Sequence, residues 1–113
     1  MGKMLTEDDK KFKIELEIAN TFMSRLKGLM FCPSLSVEKG LIFYNCSSIH
    51  TCFMRFPIDV IYLDSSYVVL GKETISPWHV GKHFRGTKMV VEMNAGVAEN
   101  LKTGDQLHLG ESR

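Results

Sequence analysis

Ionisable and polar side chains interrupt an otherwise apolar stretch at residues 48–64. His50, Cys52, Arg55 and Asp59 stand there among residues that favour buried strands. A buried polar group without a hydrogen-bond partner costs roughly 1–3 kcal/mol, so each of these side chains requires a partner in the protein or in a ligand. This stretch is therefore the first place to look for a site.

Arg55 and Asp59 fall on the same side of an extended chain and are near enough in sequence to pair. One interpretation is structural: an ion pair, or a carboxylate that accepts backbone N–H bonds at the turn. The other is a ligand site, in which the Arg55 guanidinium binds an anionic group and Met54 forms an adaptable apolar wall. The predicted ligand-binding residues are His50, Met54, Arg55, Asp59, Trp78 and Glu92.

Two kinds of chemistry at the cysteines have weaker support. His50 and Cys52 point the same way on a strand, but a catalytic thiol also needs an oxyanion hole and an orienting group, and no motif supplies them. Cys46, Cys52, His79 and His83 could form a zinc site, yet the C-x₅-C spacing is wider than usual. We therefore expect neither a metal nor another cofactor.

A tryptophan in a predicted loop and the absence of common motifs restrict the range of possible functions. Trp78 stands between Pro77 and His79, where it can stack on a ligand or cap the edge of a core, and capping is the commoner role. There is no phosphate-binding Gly-rich loop, no H-E-x-x-H and no G-x-S-x-G. The commonest nucleotide-binding, zinc-protease and hydrolase signatures are thus missing.

The elements that must position these residues are mostly strands. Residues 11–18 alternate between apolar and charged side chains, which is typical of a half-buried strand. A capping residue and an apolar stripe predict a short helix over 22–29, and residues 97–101 are compatible with one helical turn. Further strands are predicted at 41–44, 58–63, 68–70, 87–93 and 106–109.

The fold class that follows is mainly β (α+β). We expect a small single-domain β-barrel or sandwich of six or seven short strands, with one short helix in the N-terminal half. Residues 1–10 are polar and predicted to be disordered, which leaves a single globular β-rich domain over 11–110.

Composition excludes several classes of partner. Fourteen basic and thirteen acidic residues leave a net charge of +1, which predicts neither a nucleic-acid nor a membrane partner. No apolar run reaches the roughly 18 residues of a membrane span, and no signal peptide is recognisable. Three cysteines without an export signal favour reduced thiols and a cytoplasmic location, with a monomer as the default state.

Six stretches of the sequence form a recognisable series: RLKGLM at 25–30, GLIF at 40–43, HTCFM at 50–54 with PID at 57–59, SPW at 76–78, VE at 91–92 with NAG at 94–96, and LKTGD at 101–105. In order and spacing they resemble the bacterial and archaeal family known as domain of unknown function 192. The resemblance covers about residues 12–110 and implies a compact β-rich single domain, but no established activity. Aromatic residues are common in the family where Cys52 stands, which weakens the thiol and zinc interpretations further.

Three hypotheses for the function follow. The first is a non-enzymatic domain that binds a small molecule or a peptide in a cleft near residues 50–59. The second is a hydrolase or transferase that uses Asp59 or Glu92 as a general base with His50. The third is a metal-stabilised structural protein. The sequence favours the first, so an enzyme is the less expected outcome.

Overall fold

Seven strands form one sheet in the computed structural model, which describes residues 3–7, 12–18, 39–47, 49 and 56–111. The strand order across the sheet is β5-β4-β6-β3-β2-β1-β7. Only the β2–β3 pair is parallel among the pairs of neighbouring described strands. The strands are β1 (Lys3–Glu7), β2 (Phe12–Ile18), β3 (Lys39–Tyr44), β4 (Ile58–Leu63), β5 (Val69–Ile75), β6 (Met89–Asn94) and β7 (His108–Glu111).

The sheet curls until its two edges approach each other at one end. Backbone hydrogen bonds join the approach to β7 with the start of β5: the N–H of Val69 donates to the carbonyl of Asp105 (2.9 Å), and the N–H of Leu107 to that of Tyr67 (3.0 Å). A single bridge, Val68 to Gln106, completes this contact. The architecture is therefore a curled half-barrel, and the mainly β prediction is confirmed.

Each face of the sheet carries its own apolar cluster, because side chains alternate along a strand. The large cluster draws residues from β1 to β6 and so lies inside the curl. The small cluster lies on the opposite face, over β3, β4, β5 and β6. Its buried members are Phe43, Ile58, Val60, Tyr62, Ile75 and Val90, and Leu41, Cys46, Ile49, Phe56 and Phe84 pack against them.

The strands expected at 11–18, 41–44, 58–63, 87–93 and 106–109 are confirmed with small shifts at their ends. The strand expected at 68–70 is longer, since β5 continues to Ile75. Residues 95–100 form consecutive turns and not a helical turn. The expected helix at 22–29 lies outside the described residues.

The prediction that residues 1–10 are disordered was wrong for Lys3–Glu7, which forms β1. This strand pairs with β2 on one side and β7 on the other, and the Leu5 side chain is fully buried opposite Ile14 and Leu109. Polar composition concealed the strand because one buried leucine is too little for a periodic signal. Within the described ranges, no helix is long and apolar enough to cross a membrane.

Candidate functional site

The connection between β5 and β6, residues 76–88, crosses the small cluster and is called the strap below. It leaves the sheet after Ile75, which pairs with Ile58 at the end of β4 that also pairs with Asn94. It rejoins the sheet at Met89, which pairs with Leu63 at the other end of β4. The strap therefore runs from one end of β4 to the other. Its Phe84 side chain packs into the small cluster.

A carboxylate on β5 holds the strap down. Oε2 of Glu73 accepts hydrogen bonds from the hydroxyl of Tyr62 (2.6 Å) and from the backbone N–H of Lys82 (2.6 Å). Burial, assisted by the hydrogen bond to Glu73, raises the pKa of Tyr62, so the phenol stays protonated and keeps donating. The N–H of Gly81 donates to the carbonyl of Ile49 (2.8 Å), which ties the strap to a second segment.

Close packing leaves no room for a larger side chain at Gly81 of the strap or at Gly71 of β5. A Cβ at Gly81 would lie 2.6 Å from the Tyr62 hydroxyl and 2.8 Å from Cγ2 of Ile49, so a larger residue would lift the strap. The ring of Phe84 lies beside that of Tyr62, with 4.6 Å between centroids, and takes the space that a side chain at Gly71 would need. The strap is thus fitted to the sheet at both positions.

Glu92 is the unusual residue on this face. It lies on β6, between Leu41 of β3 and Val60 of β4, and only 4% of it is exposed. No hydrogen-bond partner reaches its Oε1 from the described part of the chain. Burial raises the pKa of Glu92 to about 8, so the carboxyl is mostly neutral at physiological pH.

The surroundings of Glu92 connect it with the stretch that the sequence singled out. Ile49 and Phe56, which flank residues 50–55 in the chain, both pack against the small cluster. Cys46 lies half-buried at the same cluster. The predicted site residues His50, Met54 and Arg55 lie outside the described residues.

Asp59 faces the other way. Its partner on β6 is Met93, the neighbour of Glu92, so the two carboxyl groups lie on opposite faces of the sheet. Oδ1 of Asp59 accepts a hydrogen bond from the hydroxyl of Thr74 (2.6 Å). Oδ2 accepts from the N–H groups of Gly96 (3.0 Å) and Ala98 (3.0 Å). These contacts match the structural interpretation in which the carboxylate binds a backbone turn.

Trp78 lies in the strap, and 60% of its surface is exposed. A side chain that caps a core would be exposed to a much smaller extent. Its backbone has a φ of +66°, which is rare for a bulky residue. Nδ1 of the neighbouring His79 lies 2.8 Å from the carbonyl of Pro77. Trp78 therefore lies on the exposed side of the strap, whereas Glu92 is buried on the face of the sheet that carries the small cluster.

The zinc hypothesis requires Cys46, His79 and His83 to meet Cys52, which lies outside the described residues. Among the residues that the structure does describe, no three His, Cys, Asp or Glu side chains are grouped to hold a metal ion.

Sequence reasoning missed the contact of Tyr62, Glu73 and Gly81. A signal for Tyr62 was present, because a tyrosine inside a fully buried strand needs a partner for its hydroxyl. Nothing in the local pattern singles out Glu73 or Gly81, since both owe their role to the path of the strap.

A family model and the related proteins found by sequence comparison indicate the same uncharacterised family. The chain matches the family model DUF192, described as "Uncharacterized ACR", over residues 4–109. A UPF0127 protein of Thermococcus sibiricus is 37% identical over 100 residues, covering 81% of this chain and 64% of that protein, which is under two thirds of its length. A UPF0127 protein of Pyrococcus furiosus is 36% identical over 103 residues, covering 87% of this chain and 89% of that protein.

A solved structure has the same fold. It is a protein of unknown function from Novosphingobium aromaticivorans, with a TM-score of 0.83 and 24% sequence identity, covering 96% of this chain and 84% of that chain. At this identity the likeness shows the architecture alone.

Proposed function

Since the chain belongs to the uncharacterised DUF192 family, whose name assigns no activity, we propose a function from the site itself: a non-enzymatic domain that binds a small molecule or a peptide. The ligand contacts the small cluster near the strap, where Ile49 and Phe56 also pack. The observation that carries the proposal is the Oε1 atom of Glu92, which is buried without a partner in the described part of the chain.

The chemistry of Glu92 restricts the ligand. A carboxyl group with a pKa of about 8 is mostly protonated at neutral pH and can donate one hydrogen bond. Ligand sites are mostly apolar with a few polar groups that fix orientation, and Glu92 among Val60, Val90 and Leu41 has this character. The ligand is therefore an apolar molecule or side chain that carries a carbonyl or another uncharged acceptor.

The Arg55 part of the predicted cleft stays a prediction, as does the cytoplasmic location. The guanidinium of Arg55 would bind an anionic group of the ligand. Asp59 is the less suitable partner for a ligand, because its two oxygens already accept three hydrogen bonds from the protein. Glu92 is therefore the residue to test first.

A thermal-shift screen with apolar metabolites and short apolar peptides tests the proposal. Wild type, Glu92→Gln and Glu92→Leu are compared, each against its own ligand-free melting temperature. Glu99→Gln is the matched control, because Glu99 is an exposed glutamate. A ligand at about 100 times its dissociation constant stabilises a protein by roughly 2.7 kcal/mol, which such a screen detects.

We expect hits that stabilise the wild type, Glu99→Gln and Glu92→Gln, because the glutamine amide can donate the same hydrogen bond, and that lose most of their effect in Glu92→Leu. Hits with equal effect on all four proteins would place the binding site elsewhere. A complete lack of hits, with purified protein shown to be folded, would count against a small-molecule or short-peptide ligand.

A general acid or base is the second candidate function, and the raised pKa of Glu92 is the observation that favours it. Catalysis needs a reacting atom within about 3 Å of the carboxyl and a second group such as His50. Assays with generic ester, phosphoester and glycoside substrates, run on the wild type and Glu92→Gln, distinguish the two. Turnover that disappears in Glu92→Gln would favour the enzyme over the binding domain.

A further inference from the structure

The strap carries both of the large hydrophobic side chains that stand exposed in the described part of the chain. Trp78 is 60% exposed and Val80 is 77% exposed. The two are separated by one residue and belong to one short segment. Two exposed apolar side chains this close together form a local apolar patch, which is the kind of surface that another molecule can cover.

The inner and outer sides of the strap differ in chemistry. Gly81 and Phe84 face the sheet, where they contact Tyr62. Trp78 and Val80 are exposed and therefore face outward. The hydrogen bonds to Glu73 and Ile49 attach this segment to the rest of the protein.

The outer side is also basic. Lys82, Arg85 and Lys88 are exposed, and residues 76–88 contain no Asp or Glu, so the strap has a charge of +3 with its histidines neutral. The net charge of +1 for the whole chain conceals this local excess. None of these three side chains is paired with a carboxylate of the described ranges.

We propose that the strap docks the protein on the surface of an anionic lipid bilayer. Trp side chains favour the headgroup level, where the ring is partly in apolar surroundings and its N–H remains hydrated. Val80 would enter the boundary of the acyl chains, while Lys82, Arg85 and Lys88 contact lipid phosphates. An exposed valine offers neither a hydrogen bond nor a stacking surface, which favours lipid over nucleic acid or an acidic peptide.

The chain supplies its own reporter, because Trp78 is its only tryptophan. The test mixes the full chain with vesicles of phosphatidylcholine alone, or of phosphatidylcholine with phosphatidylglycerol. Tryptophan emission and co-sedimentation are recorded at low and at high salt. We expect a blue shift and co-sedimentation with the anionic vesicles only, both weakened by salt.

Substitutions in the strap show whether its side chains carry the binding to vesicles. Lys82→Gln, Arg85→Gln and Lys88→Gln are combined, and the partition constant on anionic vesicles should fall on the order of 100-fold, from about fivefold for each basic residue. In a separate variant, Val80→Ser should weaken binding severalfold and reduce the blue shift. The side chains changed are exposed, so both variants should keep the fold.

A matched control removes the same charge elsewhere. Lys13→Gln, Lys39→Gln and Lys102→Gln are combined, since these lysines are exposed and lie outside the strap. This control should bind about as well as the wild type. Equal losses in the two triple variants, or anionic vesicles that leave the emission of Trp78 unchanged, would overturn the proposal. Binding to duplex DNA without binding to vesicles would also overturn it.

Discussion

Replacing Glu92 with glutamine should change how the stability of the protein depends on pH. Burial raises the pKa of Glu92 in the folded protein from 4.5 to about 8. Below about pH 4.5, the carboxyl is protonated in both the folded and the unfolded chain and contributes no pH dependence. Between the two values the unfolded chain releases a proton that the folded chain keeps, so the free energy of unfolding falls as pH rises.

The size of this effect follows from the shift. The free energy of unfolding falls by about 1.4 kcal/mol for each pH unit between the two pKa values. Over the interval from 4.5 to about 8, that amounts to roughly 5 kcal/mol, after which the decline stops. A domain is stable by only about 5–15 kcal/mol, so a loss of this order should be plain in a denaturation curve.

Glutamine has nearly the same shape as the protonated glutamate and does not titrate. The free energies of unfolding of Glu92→Gln and the wild type should therefore agree near about pH 4.5 and differ by several kcal/mol near about pH 9, with the variant the more stable. Urea denaturation followed by circular dichroism at a series of pH values measures this. Glu99→Gln, changed at an exposed position, should follow the wild type. Parallel profiles for the wild type and Glu92→Gln would refute the reasoning.

Two further predictions concern the parts that support the site. Asp59→Ala should lower the free energy of unfolding by about 3 kcal/mol, because three hydrogen-bond donors lose their acceptor. Urea denaturation measures this loss. A loss below about 0.5 kcal/mol would show that water replaces these hydrogen bonds. Gly81→Ala should cost about 1–3 kcal/mol by pushing the strap from Tyr62. Its control is Gly110→Ala, where a Cβ meets nothing within 4 Å, and equal losses in the two would contradict the role of the strap.

Much of the fold was predictable because strand patterns are local. Residues 58–63 are β-branched and aromatic, and they form β4, which is buried along its whole length. The alternation at 11–18 likewise identified β2. β1 could not be found in this way, because its burial depends on pairing with β7 from the far end of the chain.

The candidate site was predictable only in part. Glu92 was among the predicted ligand-binding residues because it belongs to one of the stretches that resemble the family, and its burial shows that a charge at this position is costly. Strand parity could not show that Asp59 and Glu92 lie on opposite faces, since that depends on the register between β4 and β6. The role of Glu73 likewise depends on the path of the strap across the sheet.

The most direct test is a carbon-13 NMR titration of the Glu92 side-chain carboxyl, assigned by comparison with Glu92→Gln. We expect a neutral group at about pH 6 that titrates with a midpoint near 8, because the carboxyl is buried and its Oε1 has no partner in the described part of the chain. A midpoint near the ordinary value of 4.5 would show a solvated or ion-paired carboxylate and would contradict a binding site built around a neutral Glu92.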